Sequence, residues 1–265
     1  SRRRPCGRRP GRSAARPRVS PSPRTSEAGL DEEEDFREEE VAINGYLDDY
    51  AFFIWGLIEL YETTFEVNYL QAALELNDDL LNHFWDEENH GFFFTADDAE
   101  KLLIRKKEIY DGAIPSGNSA AMFNLLRLGR ITGKPIYEEK AEQISKAFSG
   151  NVNRYPAGHT VLMMALDFAS GPSYEVVVTG NPDAEDTRKM VKTIHQSFIP
   201  NKVLLFRPAD QEAPPISTIA EFTKWMAALE NKATAYVCQN FACELPTNDV
   251  SKMLELLGLQ YLSKQ

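Results

Sequence analysis

Side chains suited to proton transfer and to holding a polyol fall at three places in the chain. Asp48 and Asp49 are adjacent carboxylates ahead of an apolar run, and a pair of acids is what glycosidic-bond chemistry requires. The stretch from Trp85 to Pro115 carries Trp85, Glu88, Asn89, His90, Phe92 to Phe94, Arg105, Lys107, Glu108, Tyr110 and Asp111. Its aromatic faces can stack on sugar C–H surfaces while its charged groups bond hydroxyls. Ser116, Asn118 and Ser119 follow in the run DGAIPSGNS, and His159 stands at the start of another apolar segment, where an imidazole can act as acid or base near neutral pH. Asp49, Glu108, Asp111 and His159 are therefore the candidates for proton transfer. Asp48, Trp85, Glu88, Arg105, Tyr110, Ser116 and Asn118 are the candidates for binding substrate.

The same residues also have a structural reading. Asp, Ser and Asn at helix starts cap free N–H groups, a buried histidine can be a satisfied core residue, and His90 reads as a solvated turn residue. No metal or cofactor set is apparent. Cys238 and Cys243 are spaced C-x4-C, which is neither a C-x-x-C redox pair nor half a standard zinc site. They read as structural thiols, with a disulfide open if the loop brings the sulfurs together. Thr179-Gly180-Asn181-Pro182 ends a strand as a phosphate loop would, but one glycine is a weak signal.

Helices must position most of these groups. Leu47, Tyr50, Ala51, Ile54, Leu57, Ile58, Tyr61 and Phe65 follow helical spacing, with Phe52, Phe53 and Trp55 on the other side, so this helix is expected to be buried nearly all round. The next helix has one stripe, Tyr69, Ala73, Leu76, Leu80 and Phe84, and faces water with its remainder. The pair recurs 68 residues later: Leu57, Ile58, Leu60, Thr64, Tyr69 and Ala73 match Leu125, Leu126, Leu128, Thr132, Tyr137 and Ala141. A fifth helix, Val161 to Phe168, is again apolar on most faces. Alternation of buried and half-wetted helices suits a two-layered helical toroid. The competing reading, a tetratricopeptide-like solenoid, does not suit a 68-residue period with a long insert. In a toroid the inner helices start at a common cavity, here at Asp48-Asp49, Ser116 to Ser119 and Pro156 to His159.

Beyond Gly171-Pro172 the pattern changes. Glu175 to Thr179 and Val203 to Phe206 are strand-like runs around a helix, a βαβ unit. A second round is expected, with a helix near Ile219 to Leu229, a strand at Thr234 to Cys238 and a helix opened by Asp249, giving a small parallel sheet.

Composition bounds the function. The 265 residues carry a net charge of −11, yet residues 1–26 hold nine arginines and no acid, leaving 20 basic against 40 acidic side chains elsewhere. An acidic body argues against nucleic acid and anionic membrane surfaces as partners. No apolar run reaches the ~20 residues a membrane span needs. Three scattered cysteines suggest a reducing, cytoplasmic setting. Residues 1–40 read as a disordered arm and an acidic linker, 41–171 as a partial toroid and 172–265 as a small α/β unit. The chain reads as a fragment of something longer.

Several segments carry a resemblance: LDDYAF (47–52), FWDEE (84–88), GFF (91–93), YDGAIPSGNS (110–119), IPNKV (199–203) and ATAYVC (233–238). They look like the C-terminal half of the thioredoxin-domain proteins related to spermatogenesis-associated protein 20. The resemblance implies an (α/α)6 toroid like those of N-acylglucosamine 2-epimerases and six-hairpin glycosidases, preceded by a thioredoxin-like domain. It breaks off before Ile43, where the arginine arm stands. The expected fold is mainly α: a partial (α/α)6 toroid of helical hairpins, followed by a small α/β unit with a parallel sheet. The expected function is a piece of a carbohydrate-active toroid with a sugar ligand and no cofactor. The alternative is a non-catalytic docking module for a thioredoxin-like domain or another protein.

Overall fold

The structure is a computed structural model that describes residues 45–100 and 102–259; the arm and linker read at 1–40, and Cys6, lie outside the described residues. Two helical hairpins and a fifth helix come first. They are α1 (Leu47–Thr64), α2 (Val67–His83), α3 (Gly117–Thr132), α4 (Pro135–Arg154) and α5 (Thr160–Ser170). Helices α1, α3 and α5 stand in a row, joined by Trp55, Phe123 and Phe168, whose rings meet edge-on at 5.4 and 5.8 Å. Helices α2 and α4 lie against α1 and α3 on the outside. Every residue of α3 is buried, whereas α4 buries one stripe, Tyr137, Ala141, Ile144, Phe148 and Val152. The short αL turns at Phe65 and Gly133 close both hairpins.

The first helix departs from expectation. One side of α1 is buried, but Phe53 and Leu60 are 48% and 45% exposed, and on α5 Met163 and Met164 are likewise open. The apolar surface in the sequence thus exceeds what these neighbours cover.

The remaining elements are β1 (Tyr174–Gly180), α6 (Glu185–Gln196), β2 (Lys202–Pro208), α7 (Ile216–Ile219), β3 (Thr234–Gln239), β4 (Ala242–Cys243) and α8 (Val250–Leu256). Asp249 does cap α8, accepting from the N–H groups of Ser251 and Lys252. The sheet order is β2-β1-β3-β4. Strands β1 and β2 are parallel, as a βαβ unit requires, but β3 runs antiparallel to β1 and β4 antiparallel to β3, so the sheet is mixed rather than parallel. The physical reason lies between β2 and β3. In place of a long crossover helix at 219–229 there is only four-residue α7 followed by short 3-10 turns, Glu221–Trp225 and Leu229–Asn231. Thr223 turns its hydroxyl onto the Ala220 carbonyl, and Glu230 and Asn231 take left-handed backbone angles, which end regular helix.

The sheet is covered on both faces. Val177, Val203, Leu205 and Cys238 join the core of the helical layer, while Val176, Val178, Leu204, Phe206, Ala235 and Val237 pack with Met190 and Ile194 of α6 and Met253 of α8. Two arginines of α3 brace the layers. Arg127 meets Glu59 and Glu62 of α1, and Arg130 reaches Glu175 of β1 at 2.8 Å.

The β3–β4 hairpin turns at Asn240 and Phe241, both at positive φ, and places Cys238 opposite Cys243. The two sulfurs form a disulfide. The pair is therefore a bridge and not the two free thiols expected, because the hairpin supplies the approach that spacing alone leaves undecided. No helix among the described residues is long and apolar enough to cross a membrane.

Candidate functional site

Three helix starts lie side by side, and most of the candidate residues gather there. Gly117, the first residue of α3, donates its N–H to the Asp48 carboxylate in the first turn of α1. A side chain at Gly117 would meet Leu47 Cγ at 2.6 Å, so this close approach needs glycine. Ser116 is the N-cap of α3, its Oγ accepting from Ser119 N–H at 3.2 Å. Asp111 ties the next start to this one. Its Oδ1 accepts from Ser116 N–H at 2.9 Å, and its Oδ2 accepts from Val161 and Leu162 N–H at 2.8 and 3.3 Å. A carboxylate 50 residues upstream therefore caps α5, a role its own N-cap residue, His159, does not fill.

Asn118 fastens the insert. Its Oδ1 accepts from Phe92 N–H at 2.7 Å, and its Nδ2 donates to the Phe92 and Glu108 carbonyls, both at 2.9 Å. His159, also buried, has its Nδ1 2.9 Å from the Ile109 carbonyl oxygen, which makes Nδ1 the donor and leaves Nε2 without a proton in the neutral ring. Tyr110, 62% exposed, stands edge-on to that imidazole.

The electrostatics single out Asp48. Burial raises its carboxyl above the ordinary value, and the nearby Glu108 and Asp49 charges raise it further, against the lowering effect of the Gly117 N–H. Glu108 itself is exposed. Asp49 points back to the start of α1, where its Oδ2 accepts from Tyr46 N–H at 2.8 Å in a capping box.

The other binding candidates lie along the insert. Trp85 is buried edge-on against Phe92, with Lys140 Nζ 4.1 Å above its ring. Arg105 donates to the Thr95 and His83 carbonyls and lies over Phe93. Glu88 is exposed in a turn held by Asp86. The structure thus brings Asp48, Glu108, Tyr110, Asp111, Ser116, Asn118 and His159 to one end of the helical layer, while Trp85, Glu88 and Arg105 lie along the insert that Asn118 fastens. A cavity of about 390 Å³ between α3, α4 and α5 is lined instead by Met122, Leu126, Glu138, Glu142 and Leu166.

Three charged groupings are absent from the sequence reading. Asp86 accepts from Lys107 Nζ at 2.7 Å and from the Glu88 and Asn89 N–H groups. Burial opposes its ionisation, yet these donors outweigh it and hold the carboxyl at about 2. The signal was visible in principle, since Asp-Glu-Glu-Asn is an Asx-turn sequence. The buried pairs of Arg127 and Arg130 are marked by two arginines three apart within an apolar helix. His83, Asp97 and Asp98 form a trio of metal-type donors at the end of α2, where His83 Nδ1 and Asp97 Oδ1 satisfy one another at 2.9 Å on the surface.

Comparison with known proteins finds relatives of the chain. The chain is related to proteins named spermatogenesis-associated protein 20: it is 37% identical over 214 residues to the human protein and 35% identical over 214 residues to the rat protein. A further relative is an uncharacterized protein of Caenorhabditis elegans, 31% identical over 216 residues. The matches cover 80% of this chain but 27% of the two mammalian proteins, and 82% of the chain and 29% of the nematode one. The chain thus spans little more than a quarter of the length of these relatives. No protein-family model matches it.

Proposed function

We propose that the chain supplies part of a ring of helical hairpins, an (α/α) toroid like those of N-acylglucosamine 2-epimerases and six-hairpin glycosidases. The sugar-facing end in this reading is the one where α1, α3 and α5 begin. The observation that carries it is Asp48, half-buried, raised by burial and set beside the exposed Glu108. An acid that holds its proton more tightly than an ordinary carboxyl, next to another open to water, is a division of labour suited to proton transfer to and from a sugar. Asp48 is then the proton donor and Glu108 the acceptor. Tyr110 offers an exposed ring to the sugar face, and His159 Nε2 is a second acceptor beneath it. Asp111, Ser116 and Asp49 hold the helix starts, and Asn118 the insert, through their bonds to backbone N–H groups, and they contribute through position. The test is a thermal-shift and turnover screen of the chain against monosaccharides and their N-acyl forms, repeated with Asp48→Asn and Glu108→Gln. A stabilising sugar whose effect both variants abolish and Glu88→Gln retains supports the reading. A sugar effect indifferent to both variants, or none at all, overturns it.

A second reading is favoured by the open apolar residues Phe53 and Leu60 on α1 and Met163 and Met164 on α5. In it the helical layer is a docking platform for a thioredoxin-like domain or for more of the longer protein. Binding of the N-terminal remainder of a full-length relative, lost in Phe53→Asp and Leu60→Asp, supports it; failure to associate counts against it.

A further inference from the structure

The disulfide lies where a structural staple is least needed and a reactive one is best served. Cys238 and Cys243 are five residues apart and already paired by the β3–β4 ladder, so the bridge adds little constraint on the unfolded chain compared with one closing a long loop. The two ends differ sharply in access. Cys238 is 2% exposed and belongs to the core of the helical layer, while Cys243 is an exposed residue of the outermost strand.

A buried carboxyl lies across the strand pair from the buried end. Glu175 of β1 is the register partner of Cys238, on the same face of the sheet, and is wholly buried. Its Oε1 accepts from Arg130 Nη1 at 2.8 Å and its Oε2 from Phe241 N–H at 3.0 Å, which ties the hairpin turn to the same carboxyl. The charged groups facing it are Arg130 of α3, which favours its ionised form, and Glu138 of α4, which disfavours it. Burial is the dominant influence and raises the carboxyl above its ordinary range. The ring of Phe241 also lies 5.9 Å from the Arg130 guanidinium.

We propose that Cys238–Cys243 is a thiol–disulfide exchange site whose substrate is a dithiol, with Cys243 the attacked sulfur. A thiolate of the donor attacks Cys243 Sγ, the S–S bond breaks, and Cys238 leaves with the electron pair as a thiolate that solvent then protonates. The second donor thiol, deprotonated by solvent, then attacks the donor sulfur of the mixed disulfide. Cys243 leaves as thiolate and is protonated by water. The donor is oxidised to its cyclic disulfide by two electrons, and the protein disulfide is reduced to two thiols.

The test uses the full chain with Cys6→Ser, so that only this pair can be alkylated. Folded protein is equilibrated with mixtures of reduced and oxidised glutathione, and thiols are counted by mass after alkylation. Both forms are expected across the series. Protein that stays fully oxidised without denaturant, or that carries two free thiols under every mixture, overturns the proposal. Cys238→Ala is expected to take up one glutathione from oxidised glutathione while Cys243→Ala takes up none, and the reverse order overturns the assignment of the attacked sulfur.

Discussion

Replacing Asp111 by alanine separates a structural carboxylate from a chemical one. Three N–H groups, those of Ser116, Val161 and Leu162, lose their acceptor together. Loss of an N-cap costs about 1 kcal/mol, and the Ser116 N–H, on a buried residue, is left without a partner at a cost of about 1–3 kcal/mol. The expected destabilisation is about 3 kcal/mol, or about 6–12 °C in melting temperature for a fold of this size. Asp111→Asn keeps a carbonyl oxygen but loses the charge that favours the α5 dipole, and should cost about half as much. Urea unfolding followed by circular dichroism gives the free energies, with Glu108→Ala, on an exposed residue, as the control expected to stay within about 0.5 kcal/mol. An Asp111→Ala chain as stable as that control would refute the clamp and return Asp111 to the set of free acids.

Gly117→Ala should cost about 1–3 kcal/mol through overpacking against Leu47 and Asp48, and the cost should shrink in an Asp48→Ala background, read by a double-mutant cycle. Arg127→Ala leaves Glu62 buried without its main partner and should cost about 3–5 kcal/mol by the same unfolding assay, far more than loss of the surface pair Lys146–Glu142. Asp86, held at about 2 against an ordinary 3.8, contributes stability that is full above pH ~4 and is lost as pH falls toward 2. Lys107→Met should therefore lower the urea midpoint at pH 6 and leave it nearly unchanged at pH 2; equal losses at both pH values would rule out the ion pair as the cause.

Five helices and the first two strands are legible because each carries its own period. The stripe through Tyr137, Ala141, Ile144 and Phe148 marks α4 without reference to any other segment. The direction of β3 is not legible in that way, because it depends on how residues 209–233 return, and their short turns rest on hydroxyl and left-handed backbone choices that leave no periodic trace. The candidate site divides along the same line. Asp49 and Ser116 act on their own helices, a range over which capping can be read. Asp111 and Asn118 act on partners 50 and 26 residues away, so the sequence marks them as polar residues of a loop without saying that their oxygens are already committed. The arginines of α3 are legible as unusual but not as braces, since Glu175 lies 45 residues further on.

The sheet that shares one apolar face with the helices has a practical consequence for anyone dividing this chain. A cut at Gly171, where the helical pattern gives way to strands, would strip Val177, Val203 and Leu205 of their cover on one piece and bare the matching helical surface on the other. Both pieces would be expected to aggregate during expression, whereas a span beginning near Ile43 keeps every contact of the compact unit. Limited proteolysis should accordingly spare the 171–172 joint for as long as the molecule stays folded.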